Sequence, residues 1–110
     1  MKAHARPQPK RGNKTEAEYG WVLRAEQQAG AILEFRYEAL TLILGHDCRY
    51  TPDYLVVTTL GFLELHEVKG FHRDDAMVKL RVAARLFPWF RFLLVEREGG
   101  GGFHREEVTA

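Results

Sequence analysis

The sequence is poor in residues on which several enzyme classes depend. It contains a single cysteine, Cys48, and no serine. One cysteine excludes an internal disulfide and any zinc site built from several cysteines. The absence of serine excludes hydrolases that use a serine nucleophile. The fold must therefore be held together by its core, and any catalysis must use other groups.

Long apolar segments are also lacking. No run approaches the roughly 20 residues needed to span a bilayer, and the N-terminus lacks the apolar stretch of a signal peptide. With 110 residues, 45% of them hydrophobic, the chain can build one compact domain. We therefore expect a single domain with one site, located in the cytoplasm.

Acidic side chains are absent from the first 14 residues. The basic side chains there are Lys2, Arg6, Lys10, Arg11 and Lys14. Because the net charge of the whole chain is +1, the remaining residues carry a net charge of −4. Such an arm can lie along a phosphate backbone, with Lys10, Arg11 and Lys14 as the candidate contacts. A solvated, disordered tail containing Pro7 and Pro9 has the same composition, so both interpretations stay open.

Hydrophobic periodicity predicts alternating helices and strands between two polar ends. The predicted elements in chain order are a helix at roughly 14–29 that stops at Gly30, strand-forming residues 32–44 followed by a turn at Gly45-His46-Asp47, a hairpin of strands 54–57 and 62–68, a helix from about 73 to Pro88, and a strand at 90–95. We expect a basic flexible arm at 1–12, a folded domain at 13–98 and a glycine-rich flexible tail at 99–110. The tail is assigned because four consecutive glycines lead into residues without a core-forming pattern.

The strand that ends at Lys69 changes character along one face. Side chains alternate in a strand, so Leu63, Leu65, Glu67 and Lys69 share a face. Charge at the rim of an apolar face is costly unless it has a partner. The sequence therefore indicates that Glu67 and Lys69 are held there by another charged group or by an ion.

The geometry of the predicted hairpin supplies a partner for Glu67. If the loop is residues 59–61, Thr58 pairs with Phe62, and Asp53 falls opposite Glu67. Directly opposed side chains have Cβ atoms about 4.5–5.5 Å apart. Two carboxylates that close repel each other unless a proton or a cation lies between them. A bulge at Gly61 would shift this register by one residue.

Hard oxygen ligands of this kind suit Mg²⁺, which is commonly held by one or two carboxylates together with substrate phosphate. The carbonyl of Val68 can add another oxygen. A bound cation can acidify water, orient a phosphate and neutralise developing charge. Lys69 can hold or activate the attacking water and stabilise negative charge in the transition state. These residue types therefore point to phosphodiester hydrolysis.

Pro52-Asp53 followed by Glu67-Val68-Lys69 is the signature of the PD-(D/E)xK nuclease superfamily. Four stretches resemble small phage-encoded endonuclease-like proteins of this superfamily: NKTEAEY from Asn13, YTPDYLV from Tyr50, LHEVKG from Leu65 and DDAMVKLRVAA from Asp74. The resemblance covers about residues 13–96. It implies a single-domain α/β fold with a restriction-endonuclease-like αβββαβ core, in which helices flank a mixed sheet. It also implies an endonuclease that cuts DNA with Mg²⁺, for which Mn²⁺ can substitute.

The resemblance further implies a carboxylate from the first helix, which matches Glu16. The alternative role for Glu16 is a capping-box contact to Asn13, and Glu18 is a weaker substitute at the site. Lys79 matches a basic position on the second helix that can face the site and contact nucleic acid. The alternative for Lys79 is an ion pair with Asp75 one turn earlier.

The expected partners are DNA, a second copy of the chain that would let two sites address two strands, and a protein that supplies specificity. The chain is too short to contain a further region that recognises a DNA sequence. If no partner supplies specificity, we expect selectivity for branched or junction DNA. Cytoplasm of a phage host or bacterium is the expected location. A second hypothesis is a nucleic-acid-binding module that keeps the fold and does not cut. His66 and His72 are expected at the surface or behind the ligands rather than on the metal.

Overall fold

The computed structural model describes residues 13–69 and 73–110 of the chain. They form an α/β domain with two helices, a mixed five-stranded sheet and a small two-stranded sheet. The elements in chain order are α1 (Asn13–Gln28), β1 (Ile32–Tyr37), β2 (Leu42–Gly45), β3 (Cys48–Tyr50), β4 (Tyr54–Thr58), β5 (Leu63–Val68), α2 (Arg73–Leu86), β6 (Arg91–Arg97) and β7 (Phe103–Val108). The α/β class with a mixed sheet and helices, expected from the sequence, is confirmed.

Helix α1 ends at a glycine, as the sequence predicted. Gly30 has a φ of 81°, a left-handed conformation that costs glycine little. The Ala31 N–H donates to the Glu26 carbonyl at 2.8 Å, and the Gly30 N–H donates to the Gln27 carbonyl at 3.1 Å. This is the Schellman arrangement, which satisfies carbonyls that the last helical turn leaves unpaired.

The five-stranded sheet has the order β1-β4-β5-β6-β7. Strands β5 and β6 run parallel, and the other neighbouring pairs are antiparallel. Parallel neighbours need a crossover connection, which α2 provides. The carboxyl ends of β5 and β6, at Val68 and Val95, therefore lie together at one end of the sheet.

A separate apolar core lies on each face of the sheet. The core on the α1 face contains Tyr19, Leu23, Ile32, Tyr54, Val56, Val68 and Val95. The core on the α2 face contains Leu42, Tyr50, Leu65, Leu80, Ala83, Phe92, Leu94 and Val108. Burying a leucine such as Leu23 or Leu80 completely is worth about 1.5–3 kcal/mol. Each helix is therefore held in place by the face that it covers.

The segment 32–44 divides between two sheets. Strand β1 pairs with β4, whereas β2 pairs with β3 in the two-stranded sheet. The turn predicted at Gly45-His46-Asp47 joins β2 and β3, and Asp47 has a left-handed φ of 55°. Strand β3 was not predicted, and it carries Tyr50 into the core on the α2 face.

The expected flexible tail at 99–110 is wrong for most of its length. Residues Phe103–Val108 form β7, which pairs along β6 from Phe92↔Val108 to Arg97↔Phe103. The glycines form the turn between them, in which the Glu98 N–H donates to the Gly102 carbonyl at 3.0 Å. The folded domain therefore continues beyond residue 98. The basic arm assigned to 1–12 lies outside the described residues.

Neither helix has the length and apolar character needed to cross a membrane, as far as residues 13–69 and 73–110 are concerned.

Candidate metal centre

The β4–β5 hairpin has the register that its loop length predicted. Tyr54 lies opposite His66 and Val57 opposite Leu63, so Asp53, just before β4, comes level with Glu67. The turn is closed by hydrogen bonds from the Gly61 N–H to the Thr58 carbonyl, at 2.9 Å, and from the Thr58 N–H to the Phe62 carbonyl, also at 2.9 Å. Gly61 has a φ of 89° and introduces no shift in register.

Asp53 is buried at the start of this hairpin, with 7% of its surface exposed. Its Oδ2 accepts a hydrogen bond from the Val68 N–H at 2.7 Å, and its carbonyl accepts one from the Glu38 N–H at 2.7 Å. Burial, together with the negative charges of Glu67 and Glu16, raises the pKa of Asp53 to about 9. The protein therefore holds this carboxyl group rigidly in surroundings that disfavour its charge.

Glu67 lies on β5 and is fixed by a tyrosine from the small sheet. The Tyr50 hydroxyl donates a hydrogen bond to Glu67 Oε1 at 2.7 Å. Burial raises the pKa of Glu67 to about 7, against the hydrogen bond from Tyr50, which lowers it. The negative charge of Glu16 also raises the pKa of Glu67. Strand β3, which the sequence did not reveal, thus orients a candidate ligand.

Glu16, in the first turn of α1, completes a group of three carboxyl groups. Burial raises its pKa, and it forms a side-chain hydrogen bond with Asp53. Its Oε2 is buried without a hydrogen-bond partner. Glu18, the weaker substitute, is instead paired with Arg97 on the other side of α1. The side chain of Asn13, the alternative partner of Glu16, lies outside the described residues.

The three carboxyl groups have the donor chemistry of a site for a hard divalent cation. Two carboxyl groups that hydrogen-bond to each other must share a proton, and a cation would replace that proton. The unpartnered Glu16 Oε2 is a free oxygen ligand in the same place. Within 13–69 and 73–110, however, no three His, Cys, Asp or Glu side chains are already grouped so that they could hold a metal ion. Binding would require these side chains to move closer together.

Lys69 directly follows the end of β5. Its ammonium group lies nearest to Glu96, which is not one of the three candidate ligands. Its Nζ lies 3.8 Å from Glu96 Oε2, and its N–H donates to the Val95 carbonyl at 2.7 Å. Lys69 and Glu96 follow Val68 and Val95, which are paired between β5 and β6. The structure therefore places Lys69 beside the predicted ligands in sequence but pairs its charge with Glu96. Val68 contributes its N–H to Asp53, and its predicted role as a carbonyl ligand stays a prediction.

Lys79 on α2 faces the candidate site. Its Nζ lies 5.8 Å from the centroid of the Tyr50 ring, and its charge lowers the pKa of Glu67. The alternative ion pair with Asp75 is not among those formed between described residues. Lys14 is exposed at the start of α1. Lys10 and Arg11, the other expected nucleic-acid contacts, lie outside the described residues.

Three tyrosines around the carboxyl groups were not identified from the sequence. Tyr50 binds Glu67, a hydrogen bond from Tyr37 lowers the pKa of Glu16, and the Tyr54 hydroxyl donates to the Glu16 carbonyl at 2.8 Å. The only sequence feature that could have indicated them is the presence of tyrosines just before and after Asp53. The preference of tyrosine for strands explains that feature equally well. Glu38 was missed as well, and its charge raises the pKa of Glu16.

His66 is buried, so the first of its two expected places, the surface, is wrong, whereas a place behind the ligands stays a prediction. It has 1% of its surface exposed and lies on the α1 face, opposite the face of Leu65. Burial lowers its pKa, against the hydrogen bond that it donates to Glu64, which raises it. His72 lies outside the described residues.

Comparison of the chain with models of known protein families, with curated proteins and with solved structures found no match.

Proposed function

We propose that this chain is a divalent-metal-dependent endonuclease that hydrolyses DNA phosphodiester bonds, with the restriction-endonuclease-like core of the PD-(D/E)xK nucleases. One observation carries the proposal: Glu16, Asp53 and Glu67 come from three different parts of the chain, are partly or fully buried, and all have a raised pKa, chiefly because of burial. Strongly perturbed carboxyl groups gathered in this way are typical of functional sites. Asp53 of the Pro-Asp pair and Glu67 of the Glu-x-Lys group lie level with each other across the β4–β5 hairpin.

Glu16, Asp53 and Glu67 would hold Mg²⁺ or Mn²⁺, with the Val68 carbonyl as a further ligand. When bound, such an ion acidifies water and stabilises the charge that develops on the phosphate. Tyr50 keeps Glu67 oriented through its hydrogen bond. Lys79 presents positive charge beside the same carboxylate, where a phosphate of the nucleic acid would approach.

Lys69 is the proposed catalytic lysine. Because its ammonium group now pairs with Glu96, catalysis requires that it leave Glu96 for the substrate phosphate. The Lys69–Glu96 pair is partly exposed, with side-chain exposures of 36% and 24%. Exposed ion pairs of this kind are worth only about 0–1 kcal/mol. A phosphate at the site therefore can compete with Glu96 for the ammonium group. In this position Lys69 would stabilise negative charge on the reacting phosphate.

The Lys69–Glu96 pair also favours the second candidate, a module that binds nucleic acid and does not cut it. If Lys69 stayed on Glu96, the site would lack the lysine to which catalysis is assigned. DNA binding with an intact substrate is the distinguishing outcome.

The decisive experiment is a cleavage assay on plasmid and branched DNA with Mg²⁺ or Mn²⁺. Wild type should cut, whereas Asp53→Asn, Glu67→Gln and Lys69→Ala should lose at least about 100-fold in rate, as expected when groups that stabilise transition-state charge are removed. Glu107→Gln is the matched control, because Glu107 is an exposed carboxylate that pairs with Arg91 at 3.1 Å. If wild type binds DNA and cuts no better than Asp53→Asn, the endonuclease proposal fails and the binding module is supported.

The substrate and partners are part of the same proposal. Faster cutting of branched DNA than of linear duplex would support structure selectivity. Equal, slow cutting of both would favour a protein that supplies specificity. The mass of the chain in solution with and without DNA tests the proposed homodimer, and a monomer in both states would reject it.

A further inference from the structure

A continuous chain of hydrogen bonds joins α1 to the sheet on the α1 face. Arg105 of β7 donates from Nη2 to both carboxylate oxygens of Glu26, at 3.0 and 2.8 Å, and from Nε to the Tyr19 hydroxyl at 2.6 Å. The Tyr19 hydroxyl lies 2.6 Å from His66 Nδ1, and His66 Nε2 lies 2.9 Å from Glu64 Oε1. Tyr19 and His66 are almost fully buried.

The direction of each bond in this chain is determined. The Glu64 carboxylate can only accept, so His66 carries its proton on Nε2, and because burial lowers the pKa of His66 its Nδ1 is unprotonated and accepts from the Tyr19 hydroxyl. Arginine is only a donor, so the Tyr19 oxygen in turn accepts from Arg105. The protons of the Tyr19 hydroxyl and of His66 each have an acceptor, and a buried network satisfied in this way is rigid. It fixes the side of α1 that carries Tyr19 against β5.

A second hydrogen bond fixes the first turn of α1 to β4. The Tyr54 hydroxyl donates to the Glu16 carbonyl at 2.8 Å. The hydroxyl reaches this carbonyl because residue 20 is glycine. A Cβ atom at Gly20 would lie 2.5 Å from the Tyr54 hydroxyl oxygen, which is too close for both to keep their places. The rings of Tyr19 and Tyr54 also meet edge to face, with centroids 5.9 Å apart.

The residues that make these contacts are adjacent in sequence to two of the carboxyl groups. Tyr54 and His66 are opposite each other in the β4–β5 register, and Asp53 and Glu67 are the next residues toward the same end of the hairpin. Glu16 is the only one of the three carboxyl groups that comes from a helix. Its distance from the other two therefore depends on how α1 is attached to the hairpin.

We propose that Tyr19, Tyr54 and His66 are positioning residues that set the place of Glu16 relative to Asp53 and Glu67; the inference rests on the proposed metal site. They act through the attachment of α1 and do not touch the ion. Groups that orient metal ligands typically change metal affinity by 10–100-fold when they are altered.

The first test measures the attachment itself without metal. Hydrogen–deuterium exchange of amides 17–23 should become faster in Tyr19→Phe and in Tyr54→Phe, because each substitution removes one hydroxyl and keeps the ring. Phe103→Leu is the matched control: Phe103 packs on Tyr19 with ring centroids 5.1 Å apart but takes no part in the hydrogen bonds. Unchanged exchange in both tyrosine variants, or the same local change in Phe103→Leu, overturns the proposal.

The second test measures Mn²⁺ binding by calorimetry. Tyr19→Phe should weaken binding about tenfold, whereas Phe103→Leu should leave it within about twofold of wild type. In a Glu16→Gln background, Tyr19→Phe should cause no further loss, because the ligand through which it acts is already changed. Full additivity of the two substitutions would show a general structural effect and overturn the proposal. Absence of Mn²⁺ binding by wild type would instead reject the proposed function, while the exchange experiment still decides whether α1 is attached as described.

Discussion

Gly20 sets how closely Tyr54 can approach α1. Alanine is normally the better helix residue, by about 1 kcal/mol. In Gly20→Ala the new methyl group would lie 2.5 Å from the Tyr54 hydroxyl, so the ring must move and its bond to the Glu16 carbonyl is lost. We expect a lower midpoint of thermal unfolding and weaker Mn²⁺ binding.

Gln28→Ala is the control for helix propensity, since Gln28 is exposed at the end of α1. It should leave the midpoint unchanged or raise it. A rise of the midpoint in Gly20→Ala as well would contradict the close packing of Tyr54.

Tyr50 controls the ionisation of Glu67. Burial raises the pKa of Glu67 to about 7 even though the hydrogen bond from Tyr50 lowers it. In Tyr50→Phe the pKa of Glu67 should therefore rise. Because protons compete with the cation for the carboxylate, Mn²⁺ binding should then require a higher pH than in wild type.

Mn²⁺ titrations at a series of pH values measure this shift. The pH at which binding is half-maximal should increase in Tyr50→Phe and stay unchanged in Trp21→Phe, since Trp21 is 74% exposed on α1. An unchanged pH dependence in Tyr50→Phe would mean that the hydroxyl does not act on Glu67.

At the scale of elements, β7 is the least expected part of the fold and the easiest to test. It covers the edge of β6, and its Arg105 joins Glu26 and Tyr19 of α1. Truncation after Glu98 should therefore abolish cooperative thermal unfolding or leave the protein insoluble. Removal of Thr109 and Ala110 alone is the control and should change little, because β7 ends at Val108. A cooperative unfolding transition after the long truncation would mean that residues 99–110 are not needed for the fold.

The elements differ in how far local sequence determines them. Helix α1 and the β4–β5 hairpin were predicted because their signals are local: a glycine stop for the helix, and a three-residue loop that sets the register. Strand β7 was missed because only its two end residues, Phe103 and Val108, are apolar. Arg105 looks like a surface residue until the fold brings Glu26 beside it.

The candidate site shows the same division. Asp53 and Glu67 are neighbours across a hairpin, so spacing alone places them together. Tyr50 and Glu96 come from strands whose neighbours no local pattern specifies. The pairing of Lys69 with Glu96 depends on the parallel β5–β6 register, which only the crossover through α2 establishes.

At the scale of the whole molecule, the buried carboxyl groups make stability depend on pH. The folded pKa of Asp53 is about 9 against an ordinary 3.8, and that of Glu67 is about 7 against 4.5. Between these values the folded protein binds more protons than the unfolded chain, so the free energy of unfolding falls as pH rises. One excess proton corresponds to about 1.4 kcal/mol per pH unit.

Thermal unfolding in a chelator from about pH 5 to about pH 9 measures this loss. The midpoint should fall with rising pH in wild type and fall less in Asp53→Asn. Added Mg²⁺ should restore stability mainly at high pH, where the carboxylates are ionised and free to bind it. A midpoint that rises with pH in the chelator, or the same decline in Asp53→Asn, would contradict the buried carboxyl group.

The contacts between α1 and β7 also bear on the order of folding. Tyr19 and Arg105 are separated by 86 residues, and Glu26 and Arg105 by 79. Contacts this distant along the chain close large loops and form slowly compared with a helix or a hairpin. During refolding, Asp53 and Glu67 should therefore meet early, while Glu16 reaches its final place only when the last strand has docked.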